Sequence, residues 1–243
     1  MKTLTIDILR KSASAAAILL VGLLGVSAAL AGPISVATCA SGTGPTTNGA
    51  SVFPANCTGD TWGTLLAAES EPFTYTTTAG VTSGIIYSAV YNDGGTLDFY
   101  YQVVNNASSK DALSTLSVSD FVLASPTNAA FITDGSVLTG TGFVNGTVEA
   151  VTADDNSAGT TLQFSFYPPS SSTAELVPGS TSDVLIVSTN AKNYTAGNAA
   201  VIDSGSDTVA AFQPASAVPE PASLGLMGLG LIGLAGLRRR LRR

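Results

Sequence analysis

The residue types that carry out most enzyme chemistry are scarce in this sequence. Among its 243 residues there is no histidine, which excludes Ser-His-Asp and Cys-His nucleophile systems and any histidine-ligated zinc, iron or copper site. Residues 32–215 contain four glutamates, Glu69, Glu71, Glu149 and Glu175. Two carboxylates at a suitable separation would hydrolyse a glycosidic bond, so a glycosidase stays open as an alternative. We interpret the four as solvated surface acids and predict a non-enzymatic protein with no catalytic residue.

Two further motifs resemble binding sites only in part. Asp154, Asp155 and Asn156 offer the hard oxygen ligands that calcium prefers, but they lack the spaced ligands and the terminal glutamate of an EF-hand. The stretch Gly140 to Gly146, "GTGFVNG", misses the dinucleotide-binding fingerprint by one residue. We interpret the first motif as a plain loop and the second as a turn between strands. The sequence therefore predicts no metal site and no cofactor.

Tyrosines are the remaining candidates for ligand binding. Exposed tyrosine rings can stack on sugars, although aromatic residues on strands more often fill a core or form cross-strand pairs. The alternative function is thus a lectin-like carbohydrate-binding module, with or without the assistance of calcium. The candidates are Tyr87, Tyr91, Tyr100, Tyr101 and Tyr167.

The two cysteines, Cys39 and Cys57, enclose a polar segment. In an oxidising compartment, an even number of cysteines at such close spacing indicates a disulfide bond. A redox-active or metal-binding pair is the alternative, but no CxxC spacing supports it. We therefore predict a structural disulfide between Cys39 and Cys57.

The elements that would position these residues are mainly strands. Residues 85–91 and 97–104 are apolar, aromatic and β-branched runs joined by "NDGG", which predicts a β-hairpin. Only residues 62–70 suggest a short helix. The overall pattern predicts a mainly β fold, an antiparallel β-sandwich, with a β-solenoid as the alternative for which no fixed repeat is found. Further strands are expected at residues 73–78, 116–123, 131–132, 144–151, 161–167, 184–188 and 209–212.

The predicted sandwich, residues 32–215, is strongly acidic. It contains fifteen carboxylates against two lysines, Lys110 and Lys192, and no arginine, so its net charge is −13. A surface of this charge repels the phosphates of nucleic acids and the headgroups of anionic lipids. We therefore exclude nucleic acid as a partner of this domain.

The N-terminus has the three-part layout of a secretory signal peptide. Lys2, Arg10 and Lys11 precede an apolar run that ends in the small-residue pattern Ala29-Leu30-Ala31. We predict a signal helix over residues 1–31 and cleavage by signal peptidase between Ala31 and Gly32. A retained membrane anchor is the alternative, and the shortness of the apolar core argues against it.

A second apolar run, residues 222–237, is followed by a basic tail over residues 238–243. As a helix the run would be about 24 Å long, slightly short for a hydrocarbon core of about 30 Å. Arginines can snorkel to make up the difference and hold their end in the cytoplasm. We predict a single transmembrane helix with residues 32–215 outside. The arginines that stop transfer are Arg238, Arg239, Arg240, Arg242 and Arg243.

Between these segments lies a linker, residues 216–221, that contains Val218, Pro219, Glu220 and Pro221. The order of this motif, a Gly/Leu/Ala-rich helix and an arginine tail resembles the PEP-CTERM sorting signal of exopolysaccharide-producing Gram-negative bacteria. Tails of this kind are also grouped as an ice-binding protein C-terminal motif. Two prolines keep the motif extended and accessible outside the bilayer.

The resemblance implies that an exosortase cuts the chain near this motif. It implies an exported protein, first anchored in the membrane and then released to the cell surface or the extracellular space. We therefore expect a structural protein associated with exopolysaccharide in a biofilm or floc, with exosortase and signal peptidase as its processing enzymes.

Overall fold

The chain folds into two β-sheets, seen here in a computed structural model. The structure describes residues 34–36, 51–52, 55–57, 62–121, 127–155, 161–167 and 175–215. A short 3₁₀ helix, Gly135–Val137, lies between β8 and β9. The strands are β1 (Ile34–Val36), β2 (Ser51–Val52), β3 (Ala55–Asn56), β4 (Thr64–Thr76), β5 (Val81–Asp93), β6 (Thr96–Asn105), β7 (Thr115–Ser119), β8 (Thr127–Ile132), β9 (Thr152–Asp155), β10 (Thr161–Ser165), β11 (Val184–Ser188), β12 (Tyr194–Ile202) and β13 (Ser206–Pro214).

The strand order separates the two sheets clearly. The seven-stranded sheet runs β1-β8-β11-β6-β5-β4, and β3 also pairs with β8. The six-stranded sheet runs β13-β12-β7-β10-β9-β2. All pairs are antiparallel except the short β1–β8 and β3–β8 pairs, which are parallel. The predicted mainly β, antiparallel character is confirmed, with these two parallel pairs as an addition to it.

The main core lies between the two sheets. Val90, Phe99 and Tyr101 from the seven-stranded sheet share one cluster of buried side chains with Leu116 and Phe164 from the six-stranded sheet. Burial of this much apolar and aromatic surface is the main favourable term in folding. The two sheets are therefore packed against each other through their inner faces, as in a β-sandwich.

The outer face of the seven-stranded sheet is also covered. Tyr91, Tyr100 and Ile186 alternate along their strands with core residues and form a second cluster with Leu138 and Phe143, which follow β8. Successive side chains of a strand point to opposite faces, so the central strands are buried on both sides. The strand predicted at residues 184–188 is confirmed as β11, in which Val184 to Val187 are all buried.

The helix predicted at residues 62–70 and the strand predicted at residues 144–151 were wrong. Residues 62–70 contain no helix, because residues 64–70 belong to β4, where they pair with β5. The helix-forming residues of this segment are thus overridden by strand pairing. Residues 144–151 form no strand; they contain only an isolated bridge from Val148 to Ser182. The hydrogen bond from the Gly146 N–H to the Thr133 carbonyl, 2.8 Å, instead holds this segment as a loop.

The predicted signal helix and transmembrane helix lie outside the described residues. Within the described part of the chain, no helix has the length and apolar character needed to cross a membrane.

Candidate functional sites

The last strand, β13, is fixed to the fold as far as its end. It pairs with β12 along its whole length, from Ser206 opposite Ile202 to Pro214 opposite Tyr194. The buried Tyr101 hydroxyl donates a hydrogen bond to the Phe212 carbonyl, 2.5 Å. Immediately after the end of β13, the Ala215 N–H donates a hydrogen bond to the Asn193 carbonyl, 2.9 Å. The folded domain therefore extends to Ala215.

The residues predicted to direct export lie outside the described residues. These predictions, together with the domain boundaries at 31, 215, 221 and 237, therefore stay predictions. The residues concerned are Ala31 and Gly32 at the signal cleavage site, Val218, Pro219, Glu220 and Pro221 in the sorting motif, and Arg238, Arg239, Arg240, Arg242 and Arg243 in the basic tail.

Cys57 is buried beside β8. Its backbone N–H donates a hydrogen bond to the Phe131 carbonyl, 2.7 Å, and its side chain belongs, with Tyr100 and Ile132, to the second cluster on the outer face of the seven-stranded sheet. Cys39 lies outside the described residues. The disulfide between the two cysteines therefore stays a prediction.

The four glutamates are not gathered into one site. Glu69 and Glu71 are half-buried on β4, and the Ser88 hydroxyl of β5 donates to Glu69 Oε1, 3.1 Å. Glu149 is exposed in the loop before β9, and Glu175 lies half-buried before β11. Among the residues that the structure describes, no group of three or more histidine, cysteine, aspartate or glutamate side chains is arranged to hold a metal ion.

The acidic run predicted as a loop is part of a strand. Asp154 and Asp155 form the end of β9, opposite Gln163 and Leu162 of β10. The Thr152 hydroxyl donates to Asp154 Oδ2, 3.1 Å, and burial raises the pKa of Asp155. The loop prediction for these two residues was therefore wrong, because the ladder with β10 satisfies their backbone groups.

Most of the candidate sugar-stacking tyrosines are in the two cores. Tyr91, Tyr100 and Tyr101 are buried, so their ring faces are not available to a ligand. Tyr87 is half-buried and packs edge-to-face against Phe143, with ring centroids 6.4 Å apart. Tyr167 is 44% exposed. Of the five candidates, only Tyr87 and Tyr167 present ring surface to solvent.

Sequence reasoning missed two acids that the fold shields from solvent, Asp98, which is half-buried, and Asp183, which is buried. Burial raises the pKa of Asp98, on β6, to about 6, against hydrogen bonds from Ser188 and Thr189 that lower it. Burial likewise raises the pKa of Asp183, just before β11, to about 6. The alternation of apolar and polar residues in "TLDFYYQ" placed Asp98 on the face opposite Leu97, but it gave no sign that this face is covered.

Sequence reasoning also missed a cluster of oxygen atoms formed by the end of β4 and three chain connections, which we call the end cluster. It consists of Tyr75, Thr77, Asp111, Asp203 and Ser204. The Ser204 Oγ lies 2.6 Å from Asp111 Oδ2 and 3.1 Å from Asp203 Oδ2, and the Thr77 hydroxyl donates to Asp111 Oδ2, 3.2 Å. Because Asp111 and Ser204 are 93 residues apart, no local spacing reveals the cluster.

The fold and the position of its last strand define a mainly β, two-sheet domain that ends directly before a C-terminal segment. That segment, residues 217–240, matches the PEP-CTERM protein-sorting motif. The chain thus carries a PEP-CTERM sorting signal, which marks an exported protein that exosortase processes and that resides at the cell surface or outside the cell. No curated protein and no solved structure matches the chain.

Proposed function

We propose that this protein is a non-enzymatic structural component of the cell surface or extracellular matrix, associated with exopolysaccharide and released from the membrane by exosortase. The observation that carries the proposal is the sorting motif over residues 217–240. Residues 222–237 hold the protein in the membrane before processing, and the arginine tail keeps their far end in the cytoplasm. Exosortase cleavage near Pro219-Glu220-Pro221 then releases the domain.

The position of β13 supports this route. Because its pairing and hydrogen bonds continue to Ala215, a cut at or beyond Pro219 removes nothing on which the described core depends. The folded domain would survive processing, as a matrix component requires.

The charge of the domain bears on its partners. Fifteen carboxylates and two lysines favour contacts with cations, neutral glycans and basic surfaces over contacts with polyanions. The absence of histidine and the dispersal of the four glutamates favour a structural role over hydrolysis. The lectin-like alternative now depends on Tyr87 and Tyr167, and a glycan array with and without calcium would test it.

The processing route is tested by replacing the sorting motif in the native host. The variant Pro219→Ala/Glu220→Ala/Pro221→Ala should accumulate in the inner-membrane fraction and disappear from the surface and medium fractions, because exosortase no longer recognises it. Immunoblots of the fractions measure the change. The control is the triple substitution Ser171→Ala/Ser172→Ala/Thr173→Ala, which leaves the sorting motif intact and should not change the distribution. An unchanged distribution of the motif variant would contradict the proposal.

A further inference from the structure

The end cluster has fewer hydroxyl protons than its oxygen contacts require. Ser204 Oγ is within hydrogen-bonding distance of Asp111 Oδ2 and Asp203 Oδ2 at the same time, 2.6 and 3.1 Å. A serine hydroxyl has only one proton, so it can donate to only one of the two carboxylates. The Thr77 hydroxyl likewise lies 3.2 Å from Asp111 Oδ2 and 3.5 Å from the Gly80 carbonyl. Two negative groups are thus held together with incomplete compensation.

Tyr75 adds an observation that is independent of these contacts. Its side chain is only 9% exposed, and within the described part of the chain its buried hydroxyl has no hydrogen-bond partner. Buried hydroxyls are normally paired. The ring lies against the β12–β13 turn, since a Cβ added to Gly205 would be 2.6 Å from Tyr75 Cδ2.

The electrostatic surroundings of Tyr75 connect its hydroxyl to the cluster. Burial raises the pKa of Tyr75 to about 12, and the negative charges of Asp203 and then Asp111 contribute to the same shift. Tyr75 therefore lies beside the β12–β13 turn within the negative field of these two carboxylates. Such a field attracts a cation, and the oxygen lone pair of a neutral hydroxyl can face one.

We propose that Asp111, Asp203, Ser204, Thr77 and Tyr75 form a calcium-binding site. Carboxylate and neutral oxygens are the ligands that Ca²⁺ takes, in a flexible arrangement that water can complete. The site has only two carboxylates, so its remaining ligands would be hydroxyl oxygens and water. Mg²⁺ demands stricter octahedral geometry and should bind more weakly.

The ligands come from both sheets. Thr77 follows β4, Asp111 lies between β6 and β7, and Asp203 and Ser204 form the turn between β12 and β13. A bound Ca²⁺ would tie the β4–β5 turn of the seven-stranded sheet to the β12–β13 turn of the six-stranded sheet. Two carboxylates predict a dissociation constant of about 10⁻⁴ to 10⁻³ M, the range of extracellular calcium modules. That range suits an exported protein.

The test uses the native protein recovered from surface and medium fractions. Titration with CaCl₂ in a calorimeter should show one saturable equivalent, and Ca²⁺ at about 10 mM should raise the melting temperature by roughly 5 °C. Asp111→Asn and Asp203→Asn should each weaken binding at least tenfold. Asp93→Asn is the matched control, because it removes one exposed carboxylate at the end of β5 and should leave binding unchanged.

A second measurement does not depend on the folding of the carboxylate variants. Tb³⁺ bound at the site should emit when tyrosine is excited, and Tyr75→Phe should remove most of that emission while calorimetry still detects bound Tb³⁺. Three results would overturn the proposal: no saturable Ca²⁺ binding below about 10 mM, equal weakening by Asp93→Asn and Asp203→Asn, or full Tb³⁺ emission from the Tyr75→Phe variant.

Discussion

The buried carboxylate of Asp183 should make the stability of the domain depend on pH. Its side chain is buried and its Oδ1 has no hydrogen-bond partner within the described residues, while Thr133 donates to Oδ2, 3.4 Å. Burial raises the pKa of Asp183 to about 6, Thr133 opposes this shift, and Glu149 adds to it. In the unfolded chain the pKa is about 3.9. The folded state therefore binds the proton of Asp183 more tightly than the unfolded chain does. The stability that this protonated side chain contributes is complete below about pH 4 and is lost as the pH rises through 6.

The variant Asp183→Asn should remove this dependence. As the pH rises from 4 to 7, the wild type should lose about 1–2 kcal/mol of its free energy of unfolding relative to the variant, a value reduced for solvent screening. Urea unfolding at a series of pH values measures the change. Asp120→Asn, which alters an exposed carboxylate, is the control and should follow the wild-type curve. If Asp183→Asn also follows that curve, the carboxylate is not protonated in the folded protein at mildly acidic pH.

Gly84 shows how closely the strands of the seven-stranded sheet pack on one another. A Cβ at this position would lie 2.0 Å from the Val104 carbonyl oxygen of β6 and 2.4 Å from the Phe73 Cζ of β4. Neither atom can retreat easily, because one belongs to a backbone ladder and the other to the core. Gly84→Ala should therefore destabilise the domain by about 3 kcal/mol, measured by urea unfolding.

The control for this prediction is a glycine with a different constraint. Gly94, in the β5–β6 turn, has φ of +58° and no atom within 4 Å of an added Cβ. Gly94→Ala should destabilise the domain only by the strain of placing alanine in a left-handed backbone conformation, about 1–2 kcal/mol. Equal losses for the two variants would mean that close packing at Gly84 does not limit this sheet.

Elements with strong local signals were predictable, and elements determined by pairing were not. The β5–β6 hairpin and β11 have dense β-branched and aromatic residues. β11 was predicted with its observed bounds and β6 to within one residue at each end, whereas β5 begins at Val81, four residues before its predicted start. β12, with "TAGNAA", was not predicted, because small residues carry little strand signal. There Gly197 leaves room for Gln213 of β13, whose Oε1 would be 1.7 Å from an added Cβ. Such a fit exists only once the two strands are paired.

The candidate sites divide in the same way. The sorting motif is contiguous in sequence, so its recognition from Val218-Pro219-Glu220-Pro221 and the arginine tail agrees with the match over residues 217–240. The end cluster joins residues from three connections, and Asp98 and Asp183 owe their raised pKa values to burial by distant segments. These features depend on the tertiary fold, which single-sequence patterns do not contain.

At the scale of the whole molecule, charge and topology agree with an exported role. The basic residues are concentrated at the two ends, while residues 32–215 carry a net charge of −13. Removal of both ends would leave an acidic domain whose repulsion keeps it soluble, and whose charge calcium binding at the end cluster would partly offset. The last strand ends at Pro214, three residues before the start of the sorting motif.

Intact-mass spectrometry of the native protein from surface and medium fractions would show directly whether both ends of the chain are removed. We expect a mass that begins at Gly32 and ends near Pro221, with or without added sugar, because signal peptidase and exosortase have each removed one end. A mass that retains Arg243 in these fractions would contradict processing by exosortase, since the tail would then be a lasting anchor.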